Sequence, residues 1–409
     1  MLSNIGNVLA LTIGFAILGI LLYMRIHIGI ALSITALIIG FISLGPLSVP
    51  NIIIYTIRDK TTINLVIITA LILILILMYK ETGYIDELSE SLRRVLKKSI
   101  LSLTIIPAVI GLLPVAGGAL MSAPLVDVEG RRLGLTNSKK VFINIWFRHL
   151  IFLTYPLSQF IILTAALTGV SIWSIILRQI PIMIFMFIIG YIISFIKRKD
   201  SKSNRDHESS DNREHTKNRL YINLLRTLLP IVIPILMSVL AKLDLVISIL
   251  IGIAILIAFS KPHYVVFKRI LGYSELYLVT LAAFGAMLLR NTIIYSGIQN
   301  FIASVMSETY IHPVLLMILL PMVLAIVTGM TQSGLAISIP ILQTISDFTV
   351  RETSLVYMSA FLGYLGAPTH LCLILTLDYF KSSLAAVYKY LMPANIATLA
   401  FTILLYFIW

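Results

Sequence analysis

The chain has 409 residues, of which 59% are hydrophobic and only 12% are charged, with a mean hydropathy of +1.00. A soluble domain is typically about 45–50% apolar and about 25% charged. This composition excludes an ordinary cytosolic enzyme, a secreted disulfide scaffold and a disordered tail, and it predicts a polytopic protein of the cell membrane. The net charge of +13 comes from cations in short loops between apolar runs. That distribution favours a role in membrane orientation over nucleic-acid binding.

Apolar runs recur along the chain, and a full crossing of a bilayer needs about 20 such residues. Each run is continuous rather than alternating, so the pattern predicts helices, an all-α fold class, and disfavours a membrane β-barrel. The single cysteine, Cys372, lies within one of these runs and is interpreted as a packing residue. In chain order the runs cover 8–24, 28–45, 63–79, 101–126, 141–168, 171–196, 222–241, 244–260, 275–289, 312–346, 355–377 and 384–408.

The segment 197–219 is polar almost throughout and predicts a charged, solvated linker between two halves, 1–196 and 220–409. Its string HESSD lacks the second histidine of a zinc-binding helix, so we expect no metal there. Suppose that 101–126 and 312–346 are re-entrant hairpins. Of the 31 Lys and Arg residues, 24 then fall on one side and 6 on the other, and the positive-inside rule makes the first side cytoplasmic. This places the linker in the cytoplasm and both termini outside. The cations left on the outer side are Arg58, Lys60, Arg178, Lys242, Arg290 and Arg351.

The two halves match element by element. Each has three spans, a connecting segment (81–99 or 290–311), a hairpin, a proline-broken span (141–168 or 355–377) and a final span. The hairpin strings GGALMSAP (117–124) and SGLAISIP (333–340) share Gly-x-x-x-Ser-x-Pro at one constant offset. Only the first connector is rich in cations, as expected if the two connectors lie on opposite sides. The pattern predicts two inverted repeats.

The hairpin tips are the first candidate binding elements, because backbone groups freed within a membrane must be satisfied by protein, water or a ligand. Proline and paired glycines permit a sharp turn with exposed backbone at the first tip. The second tip adds hydroxyl and amide groups. The alternative is that small residues only allow close helix packing. The tip candidates for substrate binding are Pro114, Ala116, Gly117, Gly118, Thr331, Gln332, Ser333 and Gly334, and Ser122 and Ser338 are candidates for ion coupling.

The broken span 141–168 carries an arginine about 12 Å below the last loop lysine, by the helical rise. Arg148 can hold a carboxylate or other oxyanion at two points, with Asn144 as a further substrate ligand. The alternative is that Arg148 extends to the inner surface. His149 is a candidate proton carrier, and its alternative role is structural.

In the second broken span, glycines before Pro368 favour local unwinding that frees backbone carbonyls. Pro368 and Thr369 become candidate substrate ligands, and His370 a candidate for ion coupling. The alternative is a kinked helix that binds nothing. The sequence contains no Gly-Lys dipeptide, no His-Glu-x-x-His and no Gly-x-Ser-x-Gly. These absences weigh against ATP-driven transport, an intramembrane metalloprotease and a serine hydrolase.

The strings LLPVAGGALMSAPLVD (112–127), NIWFRHL (144–150) and LGAPTHLCLILTLDYF (365–380) resemble one integral-membrane branch of archaea and bacteria with unknown function. The overall layout resembles the ion transporter superfamily, which includes divalent-anion/sodium symporters, gluconate and C4-dicarboxylate carriers, and arsenite and sodium/proton transporters. The resemblance implies a site at the hairpin tips and unwound helices, a homodimer and an elevator-like motion. The Ser-Asn-Thr tips of the dicarboxylate carriers are absent here, so the resemblance does not extend to their specificity or sodium coupling.

We therefore expect an ion-coupled secondary transporter of a small anion, such as an organic carboxylate or oxyanion, and not an enzyme. The expected partners are membrane lipid, the small-molecule or ion substrate and a second copy of the chain. No cofactor is expected, and Na+ or H+ is the candidate coupling ion. Two alternatives stay open, a passive channel and a membrane-embedded enzyme that acts on a lipid with His149 and His370 as acid and base.

Overall fold

A computed structural model describes residues 2–95, 100–112, 118–195, 213–298 and 312–409, and all regular structure within these ranges is helical. This confirms the all-α prediction. In the first half the helices are α1 (Leu2–Tyr23), α2 (Ile28–Leu44), α3 (Val49–Arg58), α4 (Lys60–Glu81), α5 (Tyr84–Val95), α6 (Ile100–Gly111), α7 (Ala119–Arg132), α8 (Asn137–Leu150), α9 (Gln159–Thr168) and α10 (Ile172–Phe195).

The second half follows with the same alternation of long and short helices. Its described helices are α11 (Arg213–Leu240), α12 (Leu245–Ser260), α13 (Tyr264–Gly272), α14 (Ser274–Tyr295), α15 (Pro313–Thr328), α16 (Thr331–Leu342), α17 (Val350–Gly366), α18 (Leu371–Phe380) and α19 (Leu384–Ile408). Most of the predicted linker and of the second connector lies outside the described residues.

Seven described segments are long and apolar enough to cross a membrane, which makes the chain a polytopic membrane protein. They are Gly6–Tyr23, Lys60–Glu81, Ile172–Phe195, Leu220–Leu240, Ser274–Tyr295, Val350–Phe380 and Leu384–Ile408. The hairpin arms α6 and α16 have 12 residues each, or about 18 Å by the helical rise. A hydrocarbon core is about 30 Å thick. These lengths suit re-entrant arms, although the re-entrant placement and the inverted repeats stay predictions.

Both proline-broken spans are interrupted where the sequence predicts. Helix α8 ends at Leu150, a short 3-10 turn covers Ile151–Leu153, and α9 begins only at Gln159. Helix α17 ends at Gly366, and α18 begins at Leu371. The interruptions leave short irregular segments inside the helix bundle.

Helix packing divides the described helices into two groups. The first group, α1–α5 with α11–α14, is held by contacts such as α2 with α14, α4 with α14 and α11 with α12. The second group contains the hairpin arms, the broken spans and the final spans, with contacts such as α6 with α8, α15 with α17 and α10 with α19. Fewer contacts join the groups, among them α4 with α9 and α14 with α16.

Helix α8 is the centre of the second group. All its residues from Lys140 to Leu150 are buried, and α6, α7, α10, α18 and α19 pack around it. The indole of Trp146 donates a hydrogen bond to the Met186 carbonyl on α10 (2.8 Å). A helix buried on every side cannot rotate or slide alone, so it holds the polar side chains near its end in fixed positions.

Candidate functional site

A cavity of about 470 Å³ lies between the two helix groups, next to both helix breaks and the second hairpin tip. The first group supplies one wall from α4, α5 and the start of α14. The second group supplies the other wall from the ends of α8 and α17, the starts of α9 and α18, and the turn between α15 and α16. Its polar and titratable lining residues are Lys80, Asp86, Arg148, His149, Tyr155, Ser158, Gln159, Tyr273, Glu275, Gln332, Tyr364 and Cys372.

The cavity extends from the protein interior to the surface. Arg148 is 2% exposed and His149 is 1% exposed, whereas Lys80, Asp86 and Glu275 at the other end are exposed. The exposed end lies at the end of α4, which the charge pattern predicts to be cytoplasmic. The cavity therefore connects the exposed end of α4 with the buried arginine.

Arg148 lies in the last turn of α8, at the inner end of the cavity. Its Nη1 donates a hydrogen bond to the Gly118 carbonyl at the first hairpin tip (3.1 Å). Tyr364 and Cys372, one on each side of the second helix break, line the same cavity as the guanidinium. The structure thus places Arg148 inside the protein, hydrogen-bonded to the first hairpin tip and on the same cavity as the second helix break, and not at the inner surface.

Two histidines, a tyrosine and the cysteine form a compact cluster beside Arg148. His149 Nε2 lies 3.3 Å from the Tyr364 hydroxyl, and its Nδ1 lies 2.6 Å from the Ile145 carbonyl oxygen. The rings of His149 and His370 are edge to face, with centroids 4.9 Å apart. The Tyr364 and His370 ring centroids are 4.0 Å apart. The structure therefore brings both predicted coupling histidines together.

Asn144 lies one turn before Arg148 and makes three side-chain hydrogen bonds within the protein. Its Oδ1 accepts from the Ser122 hydroxyl (2.6 Å). Its Nδ2 donates to the Ala119 carbonyl (2.9 Å) and to the Thr376 hydroxyl (3.3 Å). Asn144 and Ser122 thus connect α7, α8 and α18 and do not line the cavity.

The second hairpin tip faces the cavity through Gly329, Met330 and Gln332. Gly329 has a left-handed backbone, φ +66°, and a side chain there would collide with Thr369, so a glycine is required at this close approach. Three candidate hydroxyls of α16 are buried and have no hydrogen-bond partner among the described residues; they belong to Thr331, Ser333 and Ser338. Gly334 instead packs α16 closely against α15 and α17.

The remaining candidates lie elsewhere. Pro368 and Thr369 are exposed and do not line the cavity. The Thr369 hydroxyl donates to the Ile326 carbonyl on α15 (3.1 Å), so it connects the second helix break to the second hairpin. Pro114, Ala116 and Gly117 lie outside the described residues.

Sequence reasoning did not identify the wall contributed by the first helix group, including Lys80, Tyr273 and Glu275. It also took Cys372 as packing and passed over Tyr364. Both residues flank the Gly366–Pro368 break, and their position beside an unwound segment was the available signal. The contribution from α4 and α14 comes from tertiary packing and has no local signal.

A buried ion pair lies at the far end of α7. Asp127 Oδ1 accepts from Lys140 Nζ (2.9 Å), and Oδ2 accepts from Arg131. The hydrogen bond from Arg131, and then that from Lys140, hold the pKa of Asp127 below its ordinary value. The pair joins α7 to α8 about two helical turns from Arg148, since Lys140 is eight residues before Arg148 on α8 and bonds to Asp127 there. Its role is therefore structural.

The chain belongs to DUF401, a protein family of unknown function whose model matches residues 6–409. No curated protein matches the chain. The family assignment fits the fold and leaves the activity to be inferred from the site.

Proposed function

We propose that this DUF401 member is an ion-coupled secondary active transporter for a small anion, such as an organic carboxylate or an oxyanion. The observation that carries the proposal is the position of Arg148. It is a buried cation on the wall of a cavity that lies between two helix groups, beside two helix breaks and a hairpin tip. Binding sites of secondary transporters are typically formed by such discontinuous helices near mid-membrane.

The chemistry of the cavity favours an anion. A guanidinium has five N–H donors in a planar fork, and one nitrogen of Arg148 already contacts the Gly118 carbonyl. That contact orients the group, which lowers the cost of ordering it around a carboxylate or oxyanion. Tyr364 and Gln332 line the same cavity and supply neutral donors. The exposed end carries Lys80 together with Asp86 and Glu275, so the preference for an anion comes from Arg148 and not from the charge of the entrance.

The division into two helix groups supports alternating access as the mechanism. The cavity lies along their interface and opens at the end predicted to be cytoplasmic, as expected for an inward-facing state. We propose that the hairpins, the broken spans and the final spans move together against α1–α5 and α11–α14. Such a motion would carry the site towards the outer side. The resemblance to the ion transporter superfamily supports this elevator-like motion and a homodimeric assembly.

Ion coupling is assigned to polar groups that border the site. His149 and His370 suit proton coupling, and the buried hydroxyls near the second tip suit a sodium ion. In this proposal the chain lies in the cell membrane, both termini are outside, and the segment 197–219 is cytoplasmic.

The test is binding and transport by the purified full chain. Thermal stability is measured with mono- and dicarboxylates, arsenite, phosphate and sulfate, each with sodium or potassium and at two pH values, because a ligand of the folded state raises the midpoint. The anion that stabilises the protein is then used in proteoliposome uptake. Losing a charge-assisted pair costs about 1.5–3 kcal/mol. Arg148→Gln should therefore weaken binding about 10- to 100-fold, whereas the exposed control Arg58→Gln should not.

If Arg148→Gln retains full affinity and uptake, Arg148 is not the anion-binding residue. Unsaturable flux without ion dependence would indicate a passive channel. Turnover of a lipid without net transport would indicate a membrane-embedded enzyme.

A further inference from the structure

Three side chains with metal-binding atoms converge on the wall of the cavity. They are His149 at the end of α8 and His370 and Cys372 at the start of α18, and one ligand atom from each lies within 4.8 Å of the other two. His149 belongs to the first broken span, and His370 and Cys372 belong to the second, at least 221 positions further along the sequence. Folding, not local sequence, brings them together.

His370 provides a second observation that points to a ligand. Its side chain is 0% exposed, and neither ring nitrogen has a hydrogen-bond partner among the described residues. The Leu365 carbonyl lies beside the ring without reaching hydrogen-bond geometry. Leaving a buried polar group unsatisfied costs about 1–3 kcal/mol, and a ligand at one ring nitrogen would remove that cost.

We propose that His149, His370 and Cys372 bind a soft d10 metal cation, Cu(I) or Zn²⁺. Imidazole and thiolate are the ligands that these ions prefer among protein side chains. His149 is arranged as a metal ligand usually is, because its Nδ1 faces the Ile145 carbonyl at 2.6 Å and its Nε2 faces the cluster. A backbone acceptor on the far nitrogen orients the ring and raises the basicity of the binding nitrogen.

The geometry requires only a small closure. Metal bonds of about 2.0–2.3 Å place neighbouring ligand atoms about 3.5 Å apart, compared with separations of up to 4.8 Å here. Rotation of the imidazole rings and of the cysteine side chain can supply the difference. The Tyr364 hydroxyl, 3.3 Å from His149 Nε2, borders the position that the ion would occupy. The cavity, which His149 and Cys372 both line, gives the ion a path of entry.

Charge favours Cu(I) over Zn²⁺. Binding replaces the thiol proton of Cys372, which leaves to solvent through the cavity. One thiolate and two neutral imidazoles give a neutral centre with Cu(I) and a centre of charge +1 with Zn²⁺. A neutral centre costs less than a second positive charge buried beside Arg148. This site goes beyond the proposed anion transport and does not depend on it.

The single cysteine permits a direct test on the wild-type chain. Purified, reduced protein is alkylated with N-ethylmaleimide under anaerobic conditions, with and without one equivalent of Cu(I), and the modification of Cys372 is followed by mass spectrometry. We expect the ion to slow alkylation at least about tenfold. A parallel arm uses Zn²⁺. Protection by either ion supports the site and identifies the ion, and failure of both to protect overturns it.

Affinity provides the second measurement. Cu(I) is titrated into the protein in competition with bathocuproine disulfonate, and we expect one ion per chain. Changing a partner of a metal ligand already costs about 10–100-fold in affinity, so His370→Ala should lose at least about 100-fold. His263→Ala, at an exposed histidine, is the matched control and should bind as wild type does. Equal binding by His370→Ala and His263→Ala would reject the assignment. Neither measurement uses an anion or transport, so failure here is distinct from failure of the proposed function.

Discussion

Replacing Asn144 with Ala removes the side chain that joins a hairpin arm to both broken spans. Three hydrogen bonds are lost, to Ser122, Ala119 and Thr376. At about 1 kcal/mol net for each bond the loss is about 3 kcal/mol, and at the membrane-protein average of about 0.6 kcal/mol it is about 2 kcal/mol.

The lower value is the better expectation, because the neighbouring hydroxyls keep other acceptors. The Ser122 hydroxyl can donate to the Ala119 carbonyl (3.3 Å), and the Thr376 hydroxyl donates to the Cys372 carbonyl (2.7 Å). No hydroxyl is then left buried without an acceptor, so the large penalty for an orphaned group does not apply. We expect Asn144→Ala to be about 2 kcal/mol less stable than wild type.

The assay is equilibrium unfolding in mixed detergent micelles, with Asn51→Ala as the matched control. Asn51 is an exposed residue of α3, and surface substitutions usually change stability by about 0.5 kcal/mol or less. A double-mutant cycle of Ser122→Ala with Asn144→Ala should give a coupling energy of about 0.6–1 kcal/mol. If the two Asn→Ala variants are equally stable and the cycle shows no coupling, the three-bond explanation of this junction is wrong.

Two further predictions concern contacts between helices of the second group. Gly334→Ala would place a Cβ 2.7 Å from the Pro321 carbonyl oxygen and should lower the free energy of unfolding by about 1–3 kcal/mol. The control Gly19→Ala, where a Cβ would have no atom within 4 Å, should leave stability unchanged. Equal thermal midpoints of the two variants would contradict this reasoning. Asp127→Asn removes the carboxylate beside Lys140, which is 4% exposed, and should destabilise the protein at neutral pH. Because the pKa of Asp127 is lowered in the folded state, its contribution to stability is present above about pH 4 and is lost as the pH falls further. The unfolding free energies of the variant and the wild type should therefore become equal in an acid titration. A stability difference that persists at low pH would contradict the ion-pair explanation.

The sequence predicted those features of the fold that have a local physical cause. Continuous apolar runs specify helices, and the positions of Pro156 and Pro368 specify where two of them break, because proline removes a backbone donor. The burial of Arg148 beside a cavity was predictable for a similar reason, since a cation deep in an apolar run needs a cavity or a partner. These signals are confined to a few neighbouring residues.

Features that depend on which helices meet could not be read in this way. Asn144 and Ser122 have the residue types of ligands, and only the packing of α7 against α8 and α18 shows that they bond to the protein itself. Cys372 has the residue type of a packing side chain in an apolar run, and only the approach of α8 to α18 places it beside His149 and Arg148. Polar residue type alone does not separate a group that binds a ligand from one that joins two helices.

The two walls of the cavity differ in chemistry, and this difference bears on how the site would move. The wall from the second helix group carries Arg148, His149 and Gln332, whereas the deep part of the opposite wall is formed by Leu73, Ile76, Leu77 and Val279, with polar side chains only near the exposed end. Apolar contacts are non-directional and change little in free energy when one surface slides over another. Hydrogen bonds such as that from Arg148 to Gly118 instead lie within the second helix group. A site whose polar bonds are internal to one body, facing an apolar surface of the other, can be carried across that surface without breaking the bonds that shape it.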